Sequence, residues 1–228
     1  MNFQNTEDIR KELLSLSNAK LKDFYIKLIP NIDKKTILGI YTSSIIKIAK
    51  NLWKNNNQLS LDFFNFEHRY YEENLLCSYI LNEIDDVDLV IDLLNKFIFK
   101  IDNWAVCDAI KIKAFLNQNN CTIEKLAKKY IIKNSDTYVI RLGINFLRQN
   151  LQSNNKYLPK SLNWLTQISN KDYYVQMAIA WYLQVVYINY KDDVKALIKS
   201  NKLDANIIKY LKQKIRDSRA IKNEDKLV

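Results

Sequence analysis

With 2 Gly and 2 Pro in 228 residues, the chain lacks the turn residues that sheets need, and its abundant Leu, Ile, Lys and Asn point to an all-helical protein. Hydrophobic residues at 48 % exclude a disordered chain and are enough for a real core. The 35 Lys and Arg outnumber the 25 Asp and Glu, and a formal charge of +10 favours a polyanionic partner, most simply nucleic acid.

Apolar residues recur with a helical period almost throughout. The spacing predicts helices over about 6–18, 19–29, 36–54, 71–84, 87–98, 103–118, 122–132, 136–150, 158–168, 171–188, 191–199 and 203–220. Their connections are short and polar, as in Asn55-Asn56-Asn57, Asn117-Gln118-Asn119-Asn120, Asn134-Ser135-Asp136 and Ser153-Asn154-Asn155. Such residues both turn the chain and cap helices. Ser169-Asn170-Lys171-Asp172 resembles a capping box with Asp in place of Glu. No linker rich in Pro, Gly or Ser divides the pattern, so residues 1–228 read as a single HEAT-like repeat domain. Antiparallel helix pairs recurring at roughly 35–40 residues predict a right-handed α-solenoid, with a compact helical bundle as the alternative. A bent solenoid offers a long concave surface, better suited to following a DNA duplex than to enclosing a metabolite.

Several chemistries are absent from the pattern. The three cysteines, Cys77, Cys107 and Cys121, are odd in number and not spaced like a zinc knuckle, which argues against a disulfide scaffold or a metal site. The chain has no P-loop and no Gly-x-Ser-x-Gly motif, and its one histidine, His68, makes a hydrolase triad unexpected. His68 lies between Glu67 and Arg69 and reads as structural or exposed. No cofactor is expected. The polar, acidic N-terminus does not read as a signal peptide, and no apolar run approaches a membrane span. A soluble, monomeric protein in the reducing cytoplasm is the expectation.

Four places carry candidate chemistry. Trp104 and Asp108 stand four residues apart in a predicted helix, which puts both on one face. An aromatic face beside a carboxylate can shelter a small developing cation, such as the oxocarbenium sugar at a breaking N-glycosidic bond. The plainer reading is a core Trp one turn before a capping or salt-bridged Asp. Arg141 sits in a mostly apolar stretch with Asn145 one turn later, and wants either a phosphate or an internal carboxylate such as Asp108. Trp181 follows Met177 by one turn, which by periodicity alone is a core helix with Trp at one edge. Finally, Lys191, Lys195 and Lys199, then Lys209, Lys212, Arg216 and Arg219, form two basic stripes. Each is placed as a phosphate-tracking face requires, or as an ordinary solvated face.

Together these segments carry a resemblance. Leu28-Ile29-Pro30, Ile37-Leu38-Gly39-Ile40, Ala49-Lys50 and Tyr70-Tyr71-Glu72-Glu73-Asn74 come first. Asp102-Asn103-Trp104-Ala105-Val106-Cys107-Asp108, Arg141 and Tyr173-Tyr174-Val175-Gln176-Met177-Ala178-Ile179-Ala180-Trp181 follow, before Lys214-Ile215-Arg216-Asp217-Ser218-Arg219. In this order they resemble the bacterial DNA alkylation repair family, the AlkD-like HEAT-repeat proteins. The resemblance implies a solenoid holding damaged or branched double-stranded DNA. It also implies a glycosylase that releases N3- and N7-alkylated purines without a deep base pocket. Carried over, Trp104 and Trp181 flank the deoxyribose, Asp108 stabilises the sugar cation and positions water, and Arg141 contacts a phosphate. Three departures stand beside this. Ile140 precedes Arg141 where the glycosylases often have a second Arg, and Tyr41, Ser43 and Ile46 occupy positions that usually hold Arg, Pro and Arg. The Leu-Ile-Pro to Ile-Leu-Gly segment also resembles a subgroup lacking the N-terminal recognition helix; there Tyr25 is the candidate lesion-facing aromatic. The alternatives are a non-catalytic HEAT-repeat DNA-binding protein and a protein-binding helical scaffold.

Overall fold

The computed structural model describes residues 3–117, 121–133, 136–151 and 156–226. They contain no strand and fall into two compact units, Met1–Asn117 and Gln118–Val228.

The first unit holds α1 (Thr6–Ser15), α2 (Ala19–Leu28), α3 (Thr42–Asn55), α4 (Asn57–Asn65), α5 (Tyr71–Leu81), α6 (Val87–Phe97) and α7 (Trp104–Ala109). Asn5, Asn18, Asn56, Asp86 and Asn103 each accept a first-turn backbone N–H, so the polar connectors serve as N-caps. On α3, Ile45, Ile48, Ala49 and Leu52 form a buried stripe. The helix packs on α5, which packs on α7, while α4 and α6 lie against the same row. A buried ion pair ties α1 to α5: Arg10 Nε meets Glu73 Oε1 at 2.7 Å, and the guanidinium lies 4.1 Å over the Phe66 ring.

The second unit holds α8 (Cys121–Ile132), α9 (Thr137–Phe146), α10 (Leu158–Leu165), α11 (Tyr173–Asn189), α12 (Lys191–Lys199) and α13 (Ala205–Asp217). A π-helical turn, Leu147–Leu151, continues α9. The row here is α9 on α11 on α13, with α8 against α9, α10 against α8 and α12 against α11. In both units every second helix packs on the next of its row, as in the stacked helix pairs of an α-solenoid. Trp104, Asp108, Arg141, Trp181, Lys209, Lys212 and Arg216 all sit on row helices.

Four expectations change. The helix expected over 36–54 begins only at Thr42, because Ile37, Leu38 and Ile40 are buried in extended backbone around Gly39, whose φ is +81°. Residues 57–65, between the helices expected over 36–54 and 71–84, form α4, started by the Asn56 side chain accepting from Leu59 N. The long helix expected over 103–118 stops at Ala109. Asn82, on the segment after α5, donates to Ala109 O at 2.8 Å and accepts from Lys111 N at 2.6 Å, taking backbone groups that a continuing helix needs. Only a 3₁₀ turn follows, Lys113–Asn117. The expected capping box at Ser169 is instead a cap at Asp172, which accepts from Tyr174 N at 2.7 Å while Asn170 accepts from Asp172 N. Of the expected connectors, residues 118–120, 134–135 and 153–155 lie outside the described residues.

Candidate nucleic-acid interface

In the first unit the Asn103 side chain accepts from Ala105 N and Val106 N, both at 3.0 Å, and so starts α7 at Trp104. Ser78 on α5 donates to Val106 O at 3.0 Å and holds the short helix in place. Trp104 and Asp108 share one face of α7, both half-buried, and line a cleft of about 580 Å³. Its aromatic wall is Trp104 with Tyr25, Tyr71 and Tyr79; its charged groups are Asp108, Glu83, Lys50, Lys111 and Lys113. Trp104 Nε1 donates to Leu28 O at 3.3 Å, which fixes the indole against α2. Lys113 pairs with Glu83 at 2.9 Å. Burial pushes the Tyr71 and Tyr79 phenols up, with the Glu72 carboxylate adding to the effect at Tyr71, so both rings remain neutral. Tyr71, Tyr79, Glu83 and Lys111 carried no sequence signal as site residues, because each is spread along the chain and meets the cleft only through packing. A carboxylate among aromatic faces, with lysines beside it, can hold a cation against Asp108 and an anion against Lys50 or Lys111.

One loop packs on α2, which brings Tyr25 and Leu28 to the cleft. Glu72, fully buried on α5, accepts from Leu38 N at 3.2 and 3.0 Å and from Gly39 N at 2.7 Å. A Cβ at Gly39 would come within 2.4 Å of Asn18 O and Lys22 N, so the loop lies directly on the start of α2. The Tyr25 hydroxyl donates to Ile40 O at 3.4 Å across that contact.

The second unit carries the remaining candidates. Arg141 is 5 % exposed and donates from Nη1 to Tyr174 O at 2.7 Å, which joins α9 to α11. Trp181 is half-buried, and the Arg148 guanidinium from the π-helical turn lies 3.7 Å from its ring centroid, with Lys214 Nζ at 5.7 Å. The sequence reading missed Arg148; a cation seven residues after Arg141 in a helical stretch was its only signal. On α13, Ile207, Leu211 and Ile215 face the core and leave Lys209, Lys212 and Arg216 on the opposite side. Arg216 donates to Gln213 at 2.7 Å. Arg219 falls beyond the helix, whose last residue is Asp217. The Ser218 hydroxyl there accepts from Gln184, 34 residues away, and from Ala220 N, a local bond that competes with another helical turn. The basic stripe is therefore three residues long, not four. Of the other stripe, Lys191 pairs with Asp225 at 2.6 Å.

His68 is structural. Its Nε2 meets Phe63 O at 2.9 Å and its Nδ1 the Asn74 side chain at 2.7 Å, and burial pulls its pKa below the ordinary value. Cys77 lies 3.9 Å from the same ring, but burial raises its thiol, so the pair holds no thiolate. Among the described residues no three His, Cys, Asp or Glu groups could together hold a metal ion. No helix among them is long and apolar enough to cross a membrane.

The DNA alkylation repair enzyme family matches residues 9–211. The chain belongs to that family. No curated protein matches it. Membership gives the chain a role in DNA alkylation repair and DNA as its partner.

Proposed function

We propose that this alkylation repair protein hydrolyses the N-glycosidic bond of N3- or N7-alkylated purines in double-stranded DNA. The observation that carries the reading is the Asp108 carboxylate set beside the Trp104 indole in one cleft with Lys50 and Lys111. An alkylated purine is already a cation and leaves readily as the neutral base, so no strong general acid is needed. As the C1′–N bond breaks, its electron pair goes to the base and the sugar becomes oxocarbenium-like. Asp108 stabilises that charge, holds the attacking water and takes its proton, leaving an abasic sugar and free base. Trp104 shelters the deoxyribose. Arg141, Lys209, Lys212, Arg216 and Arg219 serve the phosphates, Arg219 from the segment after α13. The protein acts as a monomer in this reading, a single HEAT-like domain of the cytoplasm. The test is release of 7-methylguanine or 3-methyladenine from alkylated duplex DNA, with Asp108→Asn as control. A wild-type rate equal to that of free solution overturns the enzyme.

A second reading, a non-catalytic protein for branched or damaged DNA, is favoured by one observation. Arg148 covers a face of Trp181 at 3.7 Å, and that face is then not open to a sugar. Duplex binding without base release supports it.

A further inference from the structure

Four tyrosines of the second unit form a continuous chain of rings. Tyr138 of α9 lies 5.8 Å from Tyr174, Tyr174 lies 5.3 Å from Tyr173, and Tyr173 lies 5.7 Å from Tyr210 of α13. The central ring, Tyr173, stands at 75° to Tyr174 and 83° to Tyr210, and 52 % of it is exposed. A tyrosine that only filled the groove between α11 and α13 would be buried. This one is gripped on both sides and projects. Cations lie close by in the chain: Lys171 and Lys209 are exposed and stand two residues and one residue before Tyr173 and Tyr210. One turn beyond Tyr210, Lys214 reaches the Trp181 ring, whose face holds Arg148. The same helices thus carry both fixed aromatic rings and ammonium groups, and Trp181 holds a guanidinium and an ammonium at its ring.

Exposed rings with cations nearby fit a nucleic-acid strand with unpaired bases. Every base has a π-face to stack, and every linkage a phosphate for a cation. Stacked bases in a duplex present no face to Tyr173. The rings themselves are tilted or perpendicular at over 5 Å rather than stacked, which suits bases splayed from a strand rather than a continuous base stack. An acidic peptide would use the cations and leave the rings idle. An apolar partner would leave the cations without an anion.

We propose that the Tyr138–Tyr174–Tyr173–Tyr210 ring chain is a site for unpaired bases of single-stranded DNA, with Tyr173 the stacking platform. This goes beyond the glycosidic reaction and does not need Asp108 or the cleft of the first unit. It gives the protein a grip on DNA whose strands are locally open.

The test uses the full chain and three fluorescent probes of equal length: oligo(dT), the same backbone without bases, and a duplex. Wild type is expected to bind oligo(dT) more tightly than the abasic strand. Tyr173→Ala is expected to weaken oligo(dT) binding roughly 5- to 150-fold, the effect of losing one stacked base. It should leave the abasic strand and the duplex within about two-fold. Tyr173→Phe keeps the ring and should keep the affinity, which separates stacking from a folding defect; circular dichroism checks the helix content of both. Equal binding of oligo(dT) and the abasic strand, or an unchanged affinity in Tyr173→Ala, overturns the site. A matched oligo(rU) bound more tightly than oligo(dT), with the same dependence on Tyr173, overturns the assignment to DNA. These outcomes are independent of base release, so an inactive glycosylase that shows them keeps the stacking site.

Discussion

Removing the Glu72 side chain is expected to unfasten the loop that packs on the start of α2. In Glu72→Ala, the backbone N–H groups of Leu38 and Gly39 lose their acceptor, and both are buried. A buried donor without a partner costs about 1–3 kcal/mol, so two cost about 2–6 kcal/mol. Removing a fully buried carboxylate also relieves its own desolvation, which brings the expected net loss to about 2–4 kcal/mol. Glu72→Gln separates the two effects. Oε1 accepts from both Leu38 N and Gly39 N, so a glutamine oxygen in that place keeps both groups partnered, but its amide nitrogen cannot accept the second, 3.0 Å bond from Leu38 N, and the change should cost about 1–2 kcal/mol. Urea unfolding followed by tryptophan fluorescence measures both variants against wild type. An alanine variant within about 0.5 kcal/mol of wild type, or a glutamine variant as damaged as the alanine one, refutes the reasoning, because satisfaction of the two N–H groups would then not be what Glu72 supplies.

Gly39→Ala attacks the same loop from the other side. Its φ of +81° and the 2.4 Å approach to backbone atoms of Asn18 and Lys22 should make it cost more than about 2 kcal/mol in the same unfolding assay. His68, the one histidine, has its pKa lowered by burial, so it gives stability that is fully present above the unfolded value near 6.5 and is lost as pH falls toward the folded value. The loss should approach about 1.4 kcal/mol per pH unit within that window, and His68→Gln should abolish this component in unfolding curves taken from pH 7.5 down. DNA affinity should fall steeply with salt, and Lys209→Glu with Lys212→Glu should weaken all duplex sequences alike and flatten the salt slope. A titration indifferent to salt would point away from phosphate contacts. In the release assay, Asp108→Asn should lose about 10²–10³ in rate, roughly 3–4 kcal/mol, with DNA affinity hardly lowered. Equal release by variant and wild type contradicts the role given to the carboxylate.

The sequence by itself determined whatever rests on interactions within a turn or two. Scarce Gly and Pro with a 3.6-residue apolar period required helices, Asn and Asp at the connections capped them, and four residues between Trp104 and Asp108 put both on one face whether the helix was long or short. Distant partners decided the rest. Asn82, 27 residues before Ala109, ends α7; Glu72, 33 residues after Gly39, holds open a loop where the pattern predicted helix; Ser218 meets Gln184 from 34 residues away where α13 stops. Tyr71 and Tyr79 reach the cleft through packing of α5 on α7, and Arg148 reaches Trp181 because a π-helical turn interrupts the regular rotation after α9. Local spacing fixes which side chains share a face. Where a helix ends, and what that face meets, is set by hydrogen bonds and contacts that exist only once remote segments have packed.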